Sequence, residues 1–485
     1  MSASVRSVLF VLGIMVASIS AAMLIPAFMD MNAGAMDSAS AFFWSSAVGG
    51  FLGMAVALGV RTEDRNLTTR SAFLVTAGSW LVLAIFAALP MRFGGHELSW
   101  TDALFEAISG LTTTGATVVT GLDARPPGFL MWRAILQWIG GIGIIVTAMA
   151  IWPLLGVGGM QLFRLESSDS SSEKVLPRAA QIATAISLIY LALTLICAMA
   201  YAATGMNGFD AMAHAMTTVA TGGYSTRDAS MGAFTEGGAD YVAMVFMLMA
   251  ALPFAAYLML VRGHPAALWR DPQVQGFFTL VIAAIVAMSI FVIAADVYAP
   301  EAGIRTAAFN TISVITGTGY ATADFGVWGA PATAAFFVLM FAGGCAGSTT
   351  CSVKIFRYQI AILAIRQHVV SLAHPRAITP LRYGGRPVSP ETVYSVLGFL
   401  FAFIAIFTLS AAILGAIGLD TTTALSGAAA TLANVGPGLG EIIGPAGTFQ
   451  PLPDAAKWVM SANMLIGRLE VLTVLILFTP RFWQS

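Results

Sequence analysis

The sequence predicts an all-α polytopic membrane protein, with about ten transmembrane helices and four re-entrant segments in a pseudo-fourfold arrangement. The first reason is composition, because 58% of the 485 residues are hydrophobic and only 10% are charged. A soluble domain has roughly 25% charged residues. The second reason is a series of long apolar runs. The third is a short apolar segment, followed by a loop rich in small residues, that occurs four times.

Ten apolar runs are long enough to cross about 30 Å of hydrocarbon. Lipid offers no hydrogen-bond partners, so each run is predicted to be helical. Only the last contains charges, Arg468 and Glu470. The first exceeds the roughly 7–15-residue core of a signal peptide, which favours a retained helix over a cleaved signal. The runs cover residues 7–28, 40–60, 71–91, 134–157, 179–204, 241–261, 275–295, 332–353, 393–418 and 458–479.

The fourfold repeat is clearest between ALFEAISGLTTTG (103–115) and AAFNTISVITGTG (307–319), which agree at seven of thirteen positions. Two looser copies are DAMAHAMTTVATG (210–222) and ALSGAAATLANVG (424–436). Their last glycines are 107, 97 and 117 residues apart. Solenoid repeats have periods of about 20–50 residues, so this spacing indicates whole domains. We therefore divide the chain into an N-terminal helix pair (1–66) and four repeats (67–168, 169–268, 269–385 and 386–485).

Each copy lies between two apolar runs and is too short to span a membrane. This is typical of a half-helix that enters the membrane and returns as a loop. Asp102, Asp210 and Thr421–Thr423 stand where three half-helices are expected to begin, because their side chains can cap free amides. The third is expected to begin near Glu301, whose charge suits a helix N-terminus.

Lysine and arginine counts predict the orientation. If the four short segments enter from outside, 16 of the 23 Lys and Arg residues lie on the inner side, 6 lie on the outer side, and Arg468 lies within the last run. The asymmetry predicts cytoplasmic termini and outward-facing loops.

The loops favour binding of a dehydrated monovalent cation. Such an ion needs a ring of oxygen dipoles in place of its water, and main-chain carbonyl groups supply them without fixed charge. Glycine lets successive carbonyls point the same way, and the half-helices aim their negative C-terminal ends at the ion. Acidic residues are nearly absent from these loops, which argues against a carboxylate ring for divalent ions.

Two segments interrupt the pattern. AGGCAGSTTC (342–351) has three glycines and three hydroxyl residues, so it is predicted to be unwound. The cationic run from Lys354 to Arg386 follows it, and this run either anchors the chain by the positive-inside rule or docks a soluble partner. Arg468 places a charge near mid-membrane, where charges are costly and usually functional, although it can instead bind carbonyl ends structurally.

The motifs TTTGAT (112–117), ATGGYST (220–226), TGTGYATADF (316–325) and NVGPGLG (434–440) resemble the four selectivity-filter loops of the Trk/Ktr/HKT superfamily of potassium transporters. The resemblance covers nearly the whole chain. The extra helix pair before the first repeat is similar to the TrkH branch. In that superfamily a serine in place of the first-loop glycine tends to accompany sodium permeation, and the glycines here therefore favour potassium.

The resemblance implies four pore helices and potassium uptake across a bacterial plasma (inner) membrane, with both termini cytoplasmic. It also implies a homodimer with one pore per protomer and a cytosolic regulatory subunit with RCK domains, similar to TrkA, which carries the nucleotide. Potassium in the filter is the expected ion, and no covalent cofactor is implied. The filter residues it implies are Thr113, Thr114 and Gly115, Ala220, Thr221 and Gly222, Gly317, Thr318 and Gly319, and Asn434, Val435 and Gly436. It also implies an intramembrane gating loop at 343–351 in the third repeat, and the gating residues it implies are Gly343, Gly344, Gly347, Ser348 and Arg468.

Other functions are less consistent with the sequence. A membrane enzyme needs clustered acids or histidines, and here they are scattered. A net charge of −1 offers no basic face for nucleic acid. GGIG (140–143) and GVGG (156–159) match dinucleotide loops superficially but lack a preceding strand, which favours helix packing. His214 is expected to be a buried neutral side chain and not a metal ligand. A symporter that couples potassium to proton or sodium entry remains the alternative.

Overall fold

The computed structural model describes residues 3–60, 69–147, 175–376 and 380–484. These residues are almost entirely helical. The first half contains α1 (Ala3–Ala22), α2 (Leu24–Asn32), α3 (Met36–Gly59), α4 (Thr69–Phe93), α5 (Trp100–Leu111), α6 (Pro127–Val146), α7 (Val175–Ala203), α8 (Gly208–Val219), α9 (Ala239–Ala250), α10 (Phe254–Val261) and α11 (Ala266–Trp269).

The second half contains α12 (Pro272–Ala294), α13 (Pro300–Ile315), α14 (Ala330–Leu339), α15 (Ile355–Ala373), α16 (Pro390–Ile417), α17 (Thr421–Leu432), α18 (Gly440–Ile443), α19 (Asp454–Arg468), α20 (Val471–Leu475) and α21 (Pro480–Gln484). An antiparallel hairpin of β1 (Arg382–Tyr383) and β2 (Arg386–Pro387) precedes α16. The boundary expected at 385/386 falls in its turn, and those at 66/67 and 168/169 lie outside the described residues.

The predicted membrane-spanning helices are present. Among the described residues, seven helices are long and apolar enough to cross a membrane. Two further pairs are bent, α9 with α10 by 90° and α19 with Val471–Phe478 by 109°. Helix α14 is a shorter apolar helix that ends at the unwound segment. These elements cover the ten apolar runs, except that part of the fourth, 148–157, lies outside the described residues.

A buried polar cluster attaches the N-terminal helix pair to the first repeat. The Asp30 carboxylate accepts hydrogen bonds from Ser38 Oγ at 2.6 Å and from the Gly128 amide at 2.5 Å. Ser38 Oγ also lies 3.2 Å from His96 Nε2. Because all three side chains are buried, these bonds replace the water that the polar groups lose on folding.

The four half-helices are α5, α8, α13 and α17, and their bounds refine the predicted starts. The N-cap residues are Ser99, Asn207 and Asp420, whose side chains accept from the amides of Asp102, Asp210 and Thr423. Asp102 and Asp210 therefore occupy the third helical position, three residues after the cap. Helix α13 begins at Pro300, and Glu301 lies in its first turn as expected.

Candidate ion-conducting site

The loops that follow the four half-helices have the same backbone conformation. The second residue after each helix has positive φ: Thr113 (50°), Thr221 (50°), Gly317 (68°) and Asn434 (52°). Two residues further on, a glycine again has positive φ: Gly115 (83°), Gly223 (77°), Gly319 (80°) and Gly436 (103°). Only glycine adopts the left-handed region without steric cost. Two residues with positive φ, separated by one other residue, are therefore a shared feature of the four loops.

The hydrogen bonds of the loops repeat as well. In the first loop, the amide of Thr113 donates to Gly110 O at 3.0 Å and that of Thr114 donates to Ser109 O at 2.9 Å. The other loops make the same two bonds at 2.9 to 3.4 Å, including the pair from Asn434 and Val435. Two amides of each loop are therefore bonded back to the half-helix that precedes it.

The loops form a closed ring. A Cβ atom built on Gly115 would collide with the carbonyl oxygen of Gly222, and one on Gly223 with that of Thr318. Likewise, a Cβ on Gly319 would collide with Val435 O, and one on Gly436 would lie 2.7 Å from Thr114 O. Each repeat thus contacts the next, and the fourth contacts the first. The arrangement is the pseudo-fourfold one that the sequence predicts.

The ring corrects the alignment of the second loop by one residue. The sequence comparison paired Gly222 with Gly115, but the structurally equivalent glycine is Gly223. Ala220 is the C-cap of α8, as Thr112 is the C-cap of α5. The three equivalent residues in the second loop are therefore Thr221, Gly222 and Gly223. The glycine spacings become 108, 96 and 117 residues.

A buried ion pair supports the first loop from behind. Arg133 Nε lies 2.8 Å from Glu106 Oε1, and both side chains are buried. The Glu106 carboxylate also accepts from Thr117 Oγ1 at 3.0 Å and from the Val118 amide at 3.0 Å. Arg133 Nη1 donates to Ser225 O of the second loop at 3.0 Å. One carboxylate therefore fixes two adjacent loops.

Replacing Glu106 with glutamine is expected to destabilise the protein by about 3 kcal/mol, because Arg133 is left as a buried charge without a partner. Thermal unfolding in detergent measures the loss. The matched control is Asp123→Asn, since both side chains of the Asp123–Arg227 pair are partly exposed and the loss of this pair should cost ~1 kcal/mol. Equal shifts in Tm for the two variants would contradict a special role for the buried pair.

The second loop is held by two uncharged side chains. His214 Nε2 lies 2.9 Å from Ser225 Oγ and Nδ1 lies 2.8 Å from Asp210 O, so both ring nitrogens have protein partners. His214 is thus a structural support, as expected. Gln137 Nε2 donates to Gly222 O at 2.6 Å, while its Oε1 accepts from the Tyr224 amide at 3.0 Å.

Two tyrosines connect adjacent repeats behind the ring. Tyr224 Oη donates to Glu106 O at 3.0 Å and to Ala116 O at 3.2 Å. Tyr320 Oη, in the equivalent position of the third loop, donates to His214 O at 3.2 Å. Each tyrosine therefore holds the half-helix of the preceding repeat.

The fourth loop keeps the common conformation with different side chains. Asn434 Nδ2 donates to Thr114 Oγ1 at 2.8 Å and to Met464 O at 2.9 Å, which joins the fourth loop to the first. Ser426 Oγ accepts from the Leu439 amide at 2.9 Å. Asparagine tolerates positive φ better than most residues, which explains its use where the third loop has glycine.

The segment between α14 and α15 is unwound, as its composition predicts, and it lies against broken helices. The Cys345 amide donates to Ala251 O at 3.0 Å, and the Phe254 amide donates to Gly347 O at 2.9 Å. Ala251 and Phe254 flank the 90° bend between α9 and α10. The Ala346 amide donates to Gln273 Oε1 at 2.8 Å.

The expected gating residues give this segment its shape. Gly347 has φ of 74°. A Cβ on Gly343 would collide with Cys351 O, and one on Gly344 would lie 2.9 Å from Ala251 O. Ser348 Oγ donates to Cys345 O at 2.6 Å. The glycines therefore permit close backbone contacts that other residues prevent.

Arg468 and Cys351 lie directly beneath the ring. Cys351 Sγ is 3.6 Å from Thr113 Oγ1, and Arg468 Nη1 is 2.5 Å from the same sulfur. Arg468 also donates to Thr349 O and Gly140 O, both at 3.2 Å. The arginine thus connects α19, the unwound segment and α6. Sequence reasoning missed Cys351, because nothing in its local pattern indicates a contact with the first loop.

This region has a net positive charge. Lys354, Arg357 and Arg468 are buried near one carboxylate, Glu470, which gives +3 and −1, or +2 in total. Arg357 Nη2 lies 2.5 Å from Glu470 Oε2, whereas Lys354 Nζ donates to Thr350 O. Glu470 therefore pairs with Arg357 of α15. A small polar cavity between these residues is also lined by Ser348 and Cys351.

The family assignment agrees with this geometry. A family model described as a cation transport protein, TrkH, matches residues 39–485. The chain belongs to the TrkH family. GGIG at Gly140–Gly143 is helix packing within that fold, because a Cβ on Gly140 would collide with Leu111 O. GVGG at 156–159 lies outside the described residues.

Curated relatives in the TrkH family match most of the chain. The Trk system potassium uptake protein TrkI of Halomonas elongata is 48% identical over 85% of this chain and 84% of its own length. TrkH of the same organism is 38% identical over 99% of this chain and 100% of its own length. The crystal structure of the potassium transporter TrkH from Vibrio parahaemolyticus is 37% identical, with a TM-score of 0.90 over 99% of both chains.

Proposed function

We propose that this TrkH-family chain conducts potassium into a bacterial cell through a ring of main-chain oxygens. The observation that carries the proposal is the closed contact between each loop and the next, in which an equivalent carbonyl oxygen of one loop lies against a glycine of its neighbour. The curated relatives are named potassium uptake proteins, and this supports potassium as the ion. The protein is a transporter and not an enzyme.

The filter residues we propose are Thr113–Gly115, Thr221–Gly223, Gly317–Gly319 and Asn434–Gly436. None carries a charge, so the ion meets dipoles alone. The C-terminal ends of the four half-helices point toward the same space and add partial negative charge, about half a unit each. Weak multisite binding of this kind allows an ion to enter and to leave.

The segment Gly343–Cys351, which includes Ser348, and Arg468 form the proposed gate. Support comes from their position under the ring, where Cys351 contacts Thr113 and Arg468 contacts Thr349 O. A buried guanidinium on the ion path repels a cation as strongly as any group available to a protein. Opening then requires that both the segment and the arginine move aside.

Removing Gly343 to Cys351 is expected to raise potassium flux several-fold, because the obstruction under the ring is lost. A milder variant is Thr349→Ala, which removes the Oγ1 bond to Ala250 O at 3.0 Å and should raise flux less. Thr333→Ala is the control, since Thr333 bonds only within α14 and its loop. Reduced or unchanged flux from a deletion variant with a normal gel-filtration profile would contradict the gate.

We also propose that the chain forms a homodimer and that it binds a soluble regulatory subunit with nucleotide-binding RCK domains. Support comes from the far end of α15, where Ile365, Val369 and Leu372 are exposed at helical spacing on one face. Exposed apolar stripes of this kind mark protein contacts. Arg366 and Arg376 add positive charge nearby. We also propose cytoplasmic termini in the inner membrane, on the basis of the Lys and Arg asymmetry.

Uptake of radioactive rubidium into proteoliposomes tests the function. We expect uptake down a potassium gradient that does not depend on sodium or proton gradients and that changes when the RCK subunit and nucleotide are added. The symporter alternative predicts that collapsing the proton or sodium gradient abolishes uptake. Absence of uptake under all of these conditions would contradict the proposal as a whole.

A further inference from the structure

A cavity of about 330 Å³ lies between the β hairpin, α12 and α15. Its lining includes the apolar side chains of Pro272, Ile362 and Leu363 and the polar side chains of Arg382 and Tyr383. The hairpin packs on the start of α12, because a Cβ on Gly384 would lie 3.5 Å from Pro272 Cγ. The pore loops and the proposed gate do not use this cavity.

The proposed orientation places the cavity where the membrane meets the cytoplasm. Pro272 is the first residue of a 23-residue apolar span, and the hairpin ends three residues before Pro390 begins another. Both spans start on the side opposite the four half-helices. Ile362, which is 63% exposed, lines the cavity beside the start of α12.

We infer that this cavity binds an anionic phospholipid of the inner leaflet. A lining with both apolar and basic side chains at this level matches a lipid with a charged headgroup. The guanidinium of Arg382, which is exposed, can bind a phosphate through two parallel hydrogen bonds. The nearby Asp271 carboxylate is engaged as the N-cap of α12, where it accepts from the Gln273 amide at 2.9 Å.

The cavity wall is connected to the proposed gate. Tyr383 Oη donates to Gln359 Oε1 at 2.6 Å, and Gln359 Nε2 donates to Pro272 O at 2.8 Å. The next residue, Gln273, accepts from the Ala346 amide of the unwound segment at 2.8 Å. A lipid that presses on Tyr383 or Pro272 therefore acts on the gate through two hydrogen-bonded side chains. This regulatory step rests on the proposed function, whereas the binding does not.

Native mass spectrometry of the detergent-solubilised protein, titrated with phosphatidylglycerol or phosphatidylcholine, tests the site. We expect the wild type to retain phosphatidylglycerol preferentially and Arg382→Gln to lose about tenfold in affinity. Arg262→Gln removes the same charge at the C-terminal end of α10, outside the cavity, and should bind as the wild type does. No preference for the anionic lipid, or equal losses in both variants, would overturn the site.

Rubidium flux in liposomes with and without phosphatidylglycerol tests the regulation. The wild type should respond to the lipid, and Gln273→Met, which lies outside the cavity lining, should bind it normally but respond less, because the bond from the Ala346 amide is lost. An unchanged lipid response in Gln273→Met would overturn the connection to the gate. Lipid bound only to monomers, and displaced in dimers, would instead assign the cavity to a second copy of the chain.

Discussion

Replacing Gly115 with serine is expected to remove most of the discrimination between potassium and sodium. Gly115 has φ of 83°, and a Cβ there would collide with the Gly222 carbonyl oxygen. The serine therefore displaces an oxygen of the ring, and the ring no longer fits the larger ion. A loss of about 1.4 kcal/mol in relative binding corresponds to a tenfold fall in selectivity.

Reversal potentials under opposed sodium and potassium gradients measure this change. A second variant tests which glycine of the second loop is equivalent to Gly115. Gly223→Ser should shift the potential as far as Gly115→Ser does. Gly222→Ser should shift the potential less, since a Cβ on Gly222 meets the Gln137 side chain and not the main chain of a neighbouring loop. If Gly222→Ser shifts the potential and Gly223→Ser does not, the structural alignment of the second loop is wrong.

Replacing Arg468 with methionine is expected to increase potassium flux by up to about a hundredfold. A potassium ion about 6 Å from a guanidinium is repelled by ~3 kcal/mol at an effective dielectric constant of about 20. That energy corresponds to roughly two powers of ten in rate. Methionine fills a similar volume without charge, and flux through single channels or rubidium uptake reports the difference.

A control variant distinguishes the effect of the positive charge of Arg468 from the effect of its hydrogen bonds. Arg468→Lys keeps the positive charge but cannot reproduce the bonds to Thr349 O, Gly140 O and Cys351 Sγ together. If repulsion limits flux, the lysine variant stays slow. Equal flux in the lysine and methionine variants would show that Arg468 acts by holding the unwound segment in place.

Much of this architecture can be predicted from sequence because it depends on local composition. The ten apolar runs, the four half-helices and the unwound segment each follow from residue types within a short window. The helix caps were placed only approximately, since Asp102 and Asp210 are third residues of their helices and Ser99 and Asn207 are the caps. A cap is decided by backbone angles that several polar residues can satisfy.

The register of the second loop could not be predicted in the same way. ATGGYST contains two adjacent glycines, and either can be aligned with Gly115. Only the backbone shows that Gly223 takes the left-handed conformation and that Gly222 supplies the carbonyl.

The long-range partners of the buried side chains also could not be predicted from the sequence. Arg357 and Glu470 are 113 residues apart, and Cys351 and Arg468 are 117 apart. No periodicity connects such pairs, because their contact depends on how separate repeats pack. Charge alone suggested that Arg468 is functional, but not which groups it binds.

The four loops of the ring do not make identical hydrogen bonds. Gly222 O accepts a hydrogen bond from Gln137 Nε2, so one quadrant offers an ion a less electron-rich oxygen than a quadrant whose oxygen has no such donor. A channel assembled from four identical chains can alter its filter only in all quadrants at once. In the proposed filter a single substitution would change a single quadrant, so natural selection could adjust the ion affinity of each quadrant separately.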